Sequence, residues 1–144
     1  MDNPVDRLEM ILEDNRYQSF KKWPYSSKNK CNAQNMAEAG FFWTGNFEEP
    51  DSAQCFVCNK QLDGWESNDD PWDEHRKHES TCLFVTIGKT EEFLTLYQLH
   101  ELFVAMVKNL TKKMFEQEKQ ELLHRAKLLK ADILKPQKKM RVPK

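Results

Sequence analysis

Cys55, Cys58, His75 and Cys82, in a Cys-x2-Cys-x16-His-x6-Cys array, constrain the fold of this chain more than any other feature. Three thiolates and one imidazole complete a tetrahedral shell for Zn2+, with the first two ligands on a short knuckle. A catalytic zinc normally keeps one position for water, and this ligand set leaves none. The metal is therefore expected to be structural, so a zinc enzyme is not expected. Its binding energy, roughly 10–16 kcal/mol in small zinc peptides, is folding energy. A cluster of buried cysteines unrelated to metal is the plain alternative, and the spacing argues against it.

At 144 residues, with 39% hydrophobic and 31% charged residues, the chain suits one small domain with an appendage. It begins Met1-Asp2-Asn3-Pro4 with no apolar signal region, and no 18-residue apolar run occurs in it. A reducing compartment, cytosol or nucleus, is expected, without a disulfide framework and without membrane contact. Cys31, the one cysteine outside the metal array, reads as a small buried filler. The sequon Asn109-Leu110-Thr111 is a chance match there. The net charge of −1 hides an asymmetry. Residues 1–107 hold 10 Lys and Arg against 19 Asp and Glu, and residues 108–144 hold 12 against 4. Two charge regimes point to two modules with different partners.

Residues 1–15 read as one short helix. Asn3 is its cap, Pro4 its first position, and Val5, Leu8, Ile11 and Leu12 share a face. From Arg16 to Ile87 the chain is turn-rich and aromatic, with strands expected over Phe41–Trp43, Ala53–Phe56 and Gln61–Asp63. Asn32 caps a helix that Gly40 stops, and Asp70-Pro71 opens another with Asp73 in its first turn. Residues 88–94 are a linker. Residues 95–135 contain no Gly or Pro before Leu134 and read as one helix of about 60 Å. Leu96, Leu99, Phe103, Met106 and Leu110 step along it by coiled-coil spacing, flanked by Leu102, Val104 and Val107. The polar stretch Glu116–Glu121 interrupts the stripe, which resumes at Leu122, Ala126, Leu129 and Ile133. Pro136 ends the helix, and residues 136–144 form a basic tail.

The words Arg16-x-x-Ser19-Phe20-x-x-Trp23-Pro24, Met36-Ala37-Glu38-Ala39-Gly40-Phe41, Asp51-x-x-x-Cys55-x-x-Cys58, Leu62-x-Gly64-Trp65 and Asp69-Asp70-Pro71-Trp72-x-Glu74-His75 stand around the metal array. Together they resemble the baculoviral inhibitor-of-apoptosis repeat, the BIR domain, over residues 16–87. One BIR followed by a long helix, with no RING finger in the sequence, is similar to the mitotic single-BIR branch of that family. The resemblance implies an α+β fold: a three-stranded antiparallel sheet with short helices around the zinc, then one long C-terminal α-helix. It also gives Gly64 a reason, passage of the backbone close to the metal knuckle.

BIR domains bind the free amino terminus of a peptide that starts with alanine. The local composition fits, because residues 48–74 hold nine acids and one base, Lys60. By resemblance, Asp63 and Asp69 hold the ammonium and Trp65 walls the alanine pocket, although Trp23, Trp43 and Trp72 read as better core candidates. Leu62 and Glu49 contact the rest of the tail, Glu49 its basic fourth residue. Lys60 and His78 cradle a phosphothreonine, the third residue of a histone tail; ordinary surface polarity is the plain reading of that pair. The family's run of three aspartates stands here as Asn68-Asp69-Asp70, and its Thr-Pro kinase site is replaced by Asn32-Ala33, so phosphoregulation does not carry over.

The resemblance further implies a non-enzymatic adaptor of the chromosomal passenger complex. Its long helix bundles with borealin-like and inner-centromere-protein-like subunits and so tethers an Aurora-type kinase indirectly. The expected locations are nucleus and centromeres in mitosis, then spindle midzone and midbody, and cytoplasm otherwise. A homodimer through the segment before the BIR and the linker after it competes for overlapping surface. Leu8, Leu96, Leu99, Leu102, Phe103, Met106 and Leu110 are the residues expected at these interfaces. The five bases over Lys135–Lys144 suit DNA, microtubules or an import receptor, and equally a solvated end. The competing reading is an inhibitor of apoptosis, acting on caspases or on antagonist peptides that begin with alanine. Caspase-blocking members use extra segments before the domain, and only residues 1–15 precede it here. The negative charge of residues 1–107 argues against nucleic-acid binding by the zinc domain. His100 and His124 have no acid or cysteine at ligand spacing and are assigned no role.

Overall fold

A computed structural model describes residues 4–134. The Asn3 cap and the basic tail over 136–144 lie outside the described residues. Two compact units divide at Leu110, and Thr111 opens the second.

In the first unit, residues 4–15 are not one helix. α1 (Pro4–Glu9) and α2 (Glu13–Ser19) are separated by Met10–Leu12, and Leu12 is extended at φ −83°, ψ 129°. The break has a partner in the core. Arg16, only 1% exposed, donates to Met10 O at 2.9 Å, Ile11 O at 2.8 Å and Ala37 O at 2.9 Å. A continuous helix would consume the carbonyls that this buried cation requires. The expected apolar face is corrected too: Met10 is buried and Leu8 and Ile11 pack against the core, while Val5 and Leu12 are exposed.

α3 (Ala33–Glu38) forms as the sequence implies, with the Asn32 side chain accepting from Asn35 N at 3.0 Å. Gly40 ends it at φ +89°, and a Cβ there would stand 2.8 Å from the Phe84 ring. The chain then enters a three-stranded antiparallel sheet in the order β1 (Phe41–Trp43), β2 (Ala53–Cys55), β3 (Gln61–Leu62). Phe41 pairs with Cys55, and Ala53 pairs with both Trp43 and Leu62. β2 and β3 each stop one residue short of the expected end, because Phe56 turns into the knuckle and Asp63 leads into Gly64.

α4 (Pro71–His78) is capped by Asp70, which accepts from Trp72 N at 3.0 Å and Asp73 N at 3.2 Å. α5 (Leu83–Ile87) follows and buries Phe84 and Val85. Phe41, Phe42, Phe84, Met36 and Trp65 fill the core between sheet and helices.

α6 (Leu96–Ile133) is a 38-residue helix. Thr95 and Gln98 open it by reciprocal capping, each side chain bonded to the other's backbone N–H at 3.1 Å. In the first unit its packed face is Leu102 and Met106, 0% and 2% exposed, with Ala105 beside them. Leu96 is 86% exposed and Phe103 43%. The interface expectation is therefore corrected for Leu102 and Met106: both lie inside the chain's own core and cannot meet a partner. In the second unit Met114, Phe115, Leu122, Leu123, Leu128, Leu129 and Ile133 are exposed. No helix among the described residues is long and apolar enough to cross a membrane.

Candidate metal centre and peptide groove

Cys55 ends β2, Cys58 lies three residues on, His75 is in α4, and Cys82 caps α5. Their ligand atoms all lie within 4.8 Å of one another. Cys55 Sγ and Cys82 Sγ are 3.9 Å apart, and Cys58 Sγ and His75 Nε2 are 3.6 Å apart. The edges of a tetrahedron around zinc are about 3.8 Å for two sulfurs and about 3.6 Å for sulfur and nitrogen. The donor set fits the metal. His75 Nδ1 donates to Ala39 O at 2.9 Å, which turns Nε2 toward the sulfurs and fixes the tautomer that ligates.

The surroundings support the same reading. Burial pushes the Cys55 thiol up, while hydrogen bonds from Cys55 and Cys58 pull Cys82 down. Three sulfurs packed this closely ionise together only beside a cation. Val57 N–H donates to Cys55 Sγ at 3.3 Å, and Asn109 of α6 donates through Nδ2 to Val57 O at 2.9 Å. The asparagine of the chance sequon thus braces the knuckle. Burial pushes the Cys31 thiol up to about 11, and its Sγ bonds Glu66 O at 3.1 Å, as a buried filler would.

A groove of about 300 Å³ runs along β3 toward α4. Leu62, Asp63, Gly64 and Trp65 line it from the strand side, Asp69, Glu74 and His78 from the α4 side, and Lys60 and Gln61 complete it. Trp65 is both core and groove lining. It is 5% exposed, its ring meets Phe41 edge-on at 5.4 Å, and its backbone N–H donates to Asp51 Oδ2 at 2.9 Å. Trp23, Trp43 and Trp72 are only half-buried, so the sequence ranking of the tryptophans is reversed. Gly64 also has a different reason from the one expected: at φ +71° it takes a left-handed turn, and a Cβ there would meet nothing within 4 Å.

Asp63, Trp65, Asp69, Lys60, His78 and Leu62 all line this one groove. Asp69 Oδ2 accepts from Glu66 N at 2.8 Å, which holds its carboxylate in place. Glu49 does not line the groove and lies in the turn that Asn46 closes, its N–H donating to Asn46 Oδ1 at 2.9 Å. Glu74 has no site role in the sequence reading, where it is one of nine acids and part of a family word. It stands in the groove with Oε2 3.3 Å from His78 Nε2, and the four-residue spacing on a helix was the signal for it.

A knuckle on a three-stranded sheet, a histidine from the next helix and an acidic groove along the last strand define a BIR zinc domain. The family model described as the Inhibitor of Apoptosis domain, BIR, matches residues 16–86. Baculoviral IAP repeat-containing protein 5 of Rattus norvegicus is 45% identical over 101 residues, covering 70% of this chain and 71% of that protein. The protein of the same name from Cavia porcellus is 43% identical over 101 residues, with the same coverage. That of Mus musculus is 38% identical over 125 residues, covering 87% of this chain and 89% of its own. The chain belongs to the inhibitor-of-apoptosis family as a survivin-like single-BIR protein. BIR domains bind a structural zinc, and Cys55, Cys58, His75 and Cys82 hold it here.

Proposed function

We propose that this chain is a non-enzymatic adaptor of the chromosomal passenger complex, whose groove binds the free amino terminus of a threonine-phosphorylated histone tail. The observation that supports this reading is the composition of a single groove. Asp63, Asp69 and Glu74 bring carboxylates to it, Trp65 lines it, and Lys60 and His78 bring the cationic donors. An α-ammonium is held by carboxylates through charge-assisted hydrogen bonds, and a phosphate needs donors such as a lysine and a histidine. A short phosphopeptide starting with alanine carries both charges two residues apart. Carboxylates alone would explain a generic peptide site but not the two donors.

The exposed apolar residues of α6, Leu122, Leu123, Leu129 and Ile133 among them, would bundle with borealin-like and inner-centromere-protein-like subunits. An Aurora-type kinase is then tethered indirectly at centromeres, and later at the midzone and midbody, for chromosome segregation and cytokinesis. Leu8, Leu96 and Leu99 would serve a homodimer. Microtubule contact falls to the basic tail.

The test uses Lys60→Ala and His78→Ala in the zinc-loaded chain with peptides that differ only in the threonine phosphate. Each variant is expected to lose the preference for phosphate while still requiring the free amine. Retention of the preference in both would overturn the phosphate assignment. The second reading, binding of antagonist peptides that begin with alanine in an anti-apoptotic role, rests on the same carboxylates and on the family that residues 16–86 match. It expects amine-dependent binding that is indifferent to both substitutions.

A further inference from the structure

Arg7 lies in α1, before the residues that the BIR model matches, yet it reaches the metal knuckle. Nη1 donates to Gln54 Oε1 at 2.5 Å, and Nη2 donates to Asn59 Oδ1 at 2.6 Å. Gln54 immediately precedes ligand Cys55 and is 3% exposed; Asn59 immediately follows ligand Cys58. One planar guanidinium therefore bridges the two ends of the Cys55–Cys58 turn, with Nη1 serving one acceptor and Nη2 the other in the fixed geometry of the fork.

The turn that it bridges needs bracing. Asn59 has φ +62°, the one described non-glycine residue in the left-handed region. Its N–H reaches Cys55 O at 3.2 Å, and its own carbonyl accepts from Gln54 Nε2 at 2.7 Å. Arg7 thus completes a ring that runs from its own guanidinium through Gln54 and Asn59. The face of the guanidinium lies 4.8 Å from the Phe42 ring centroid, which fixes the plane of the fork. Charge acts in the same direction. Three thiolates around a divalent cation leave a net negative centre, and Arg7 feels the Cys55 sulfur even as burial lowers its own pKa.

We infer that Arg7 is a positioning residue for the zinc knuckle, so that α1 and metal retention are coupled. Coupling of this kind is reciprocal: releasing the clamp loosens the metal, and losing the metal frees α1. Residues that orient metal ligands from outside the shell typically change metal affinity about 10- to 100-fold when removed. The inference does not depend on what the groove binds.

The test is the rate of zinc transfer from the full, zinc-loaded chain to the chromophoric chelator 4-(2-pyridylazo)resorcinol. Arg7→Ala is expected to release zinc about 10-fold faster or more. Arg7→Lys, which keeps the charge but has one nitrogen in place of the planar fork held against Phe42, should release it nearly as fast as Arg7→Ala. Asn59→Gly tolerates the left-handed turn and removes only the acceptor; combined with Arg7→Ala it should add little to either change alone. Glu9→Gln changes the charge of α1 at an exposed residue and leaves the clamp intact, so it should leave release close to that of the unaltered chain. An unaltered rate in Arg7→Ala or Arg7→Lys, an acceleration by Glu9→Gln equal to that of Arg7→Ala, or fully multiplicative effects in the double variant would each overturn the inference.

Discussion

The Arg16 guanidinium lies 4.5 Å from the centroid of the Phe56 ring, inside the core, with backbone carbonyls of α3 and of the α1–α2 break around its edge. Burial holds its pKa down to about 10, so it remains charged at neutral pH. A buried cation survives only when its donors are taken up, and here the ring face and three carbonyls do that. The residue therefore organises the segment before the sheet, and through Ala37 it ties that segment to the helix preceding the His75-bound carbonyl of Ala39.

Arg16→Lys keeps the charge but has one nitrogen where the guanidinium uses Nε for Ala37 O and Nη1 for Met10 O and Ile11 O. It is expected to cost about 3 kcal/mol or more, since buried acceptors are left unmade. Urea unfolding of the zinc-loaded chain measures this directly. A loss of only a few tenths would show that the carbonyls find other donors.

Leu102 and the exposed leucines farther along α6 should behave oppositely. Leu102→Ala is expected to destabilise the zinc domain by roughly 2–5 kcal/mol, as truncation of a fully buried leucine does. Leu122→Glu combined with Leu129→Glu should leave zinc content and the melting temperature unchanged. The same pair should abolish copurification with the borealin-like and inner-centromere-protein-like subunits. Copurification that persists would remove the second-unit stripe from the bundle interface.

Glu13 sits where Gln34, Glu38, Glu91 and Arg16 meet, and Glu91 accepts a hydrogen bond from its backbone N–H. Burial raises its carboxyl above the ordinary 4.5, with Arg16 opposing and Glu38 and Glu91 adding to the rise. A raised folded pKa means that the protonated form is favoured by the fold. Its stabilising contribution is present below the unfolded value and is lost as pH rises through the folded one. At neutral pH the charge is a burden, so Glu13→Gln should unfold at higher urea than the unaltered chain. That advantage should narrow as pH falls toward the carboxyl's titration range; a constant gap would assign the effect to packing.

The metal quartet was legible because ligand spacing is set by coordination geometry and survives any detail of the surrounding fold. α3 and α4 were legible because Asn32, Gly40, Asp70 and Pro71 act within one turn of themselves. The break at Met10–Leu12 was not, since its cause is an arginine whose acceptors are assembled only in three dimensions. The α6 stripe misled for a related reason. Leu96, Leu99, Phe103, Met106 and Leu110 fit a coiled-coil repeat, but the chain's own domain takes Leu102 and Met106, and periodicity does not say which of two adjoining stripes meets which neighbour. Gly64 was identified as special, but for crowding, when the backbone dihedral is the reason. In the groove, Glu74 is given no role by the sequence because one acid among nine stands out only through its four-residue spacing to His78.

The central claim is that one groove reads a free amino terminus and a phosphate two residues along. Calorimetric titration of the zinc-loaded chain with a peptide beginning Ala-Arg-Thr-Lys tests it most directly, with the threonine phosphorylated or not and the terminus free or acetylated. The account expects binding that disappears on acetylation and strengthens at least tenfold, about 1.4 kcal/mol, with phosphate. Amine-dependent binding of equal strength with and without phosphate would contradict it.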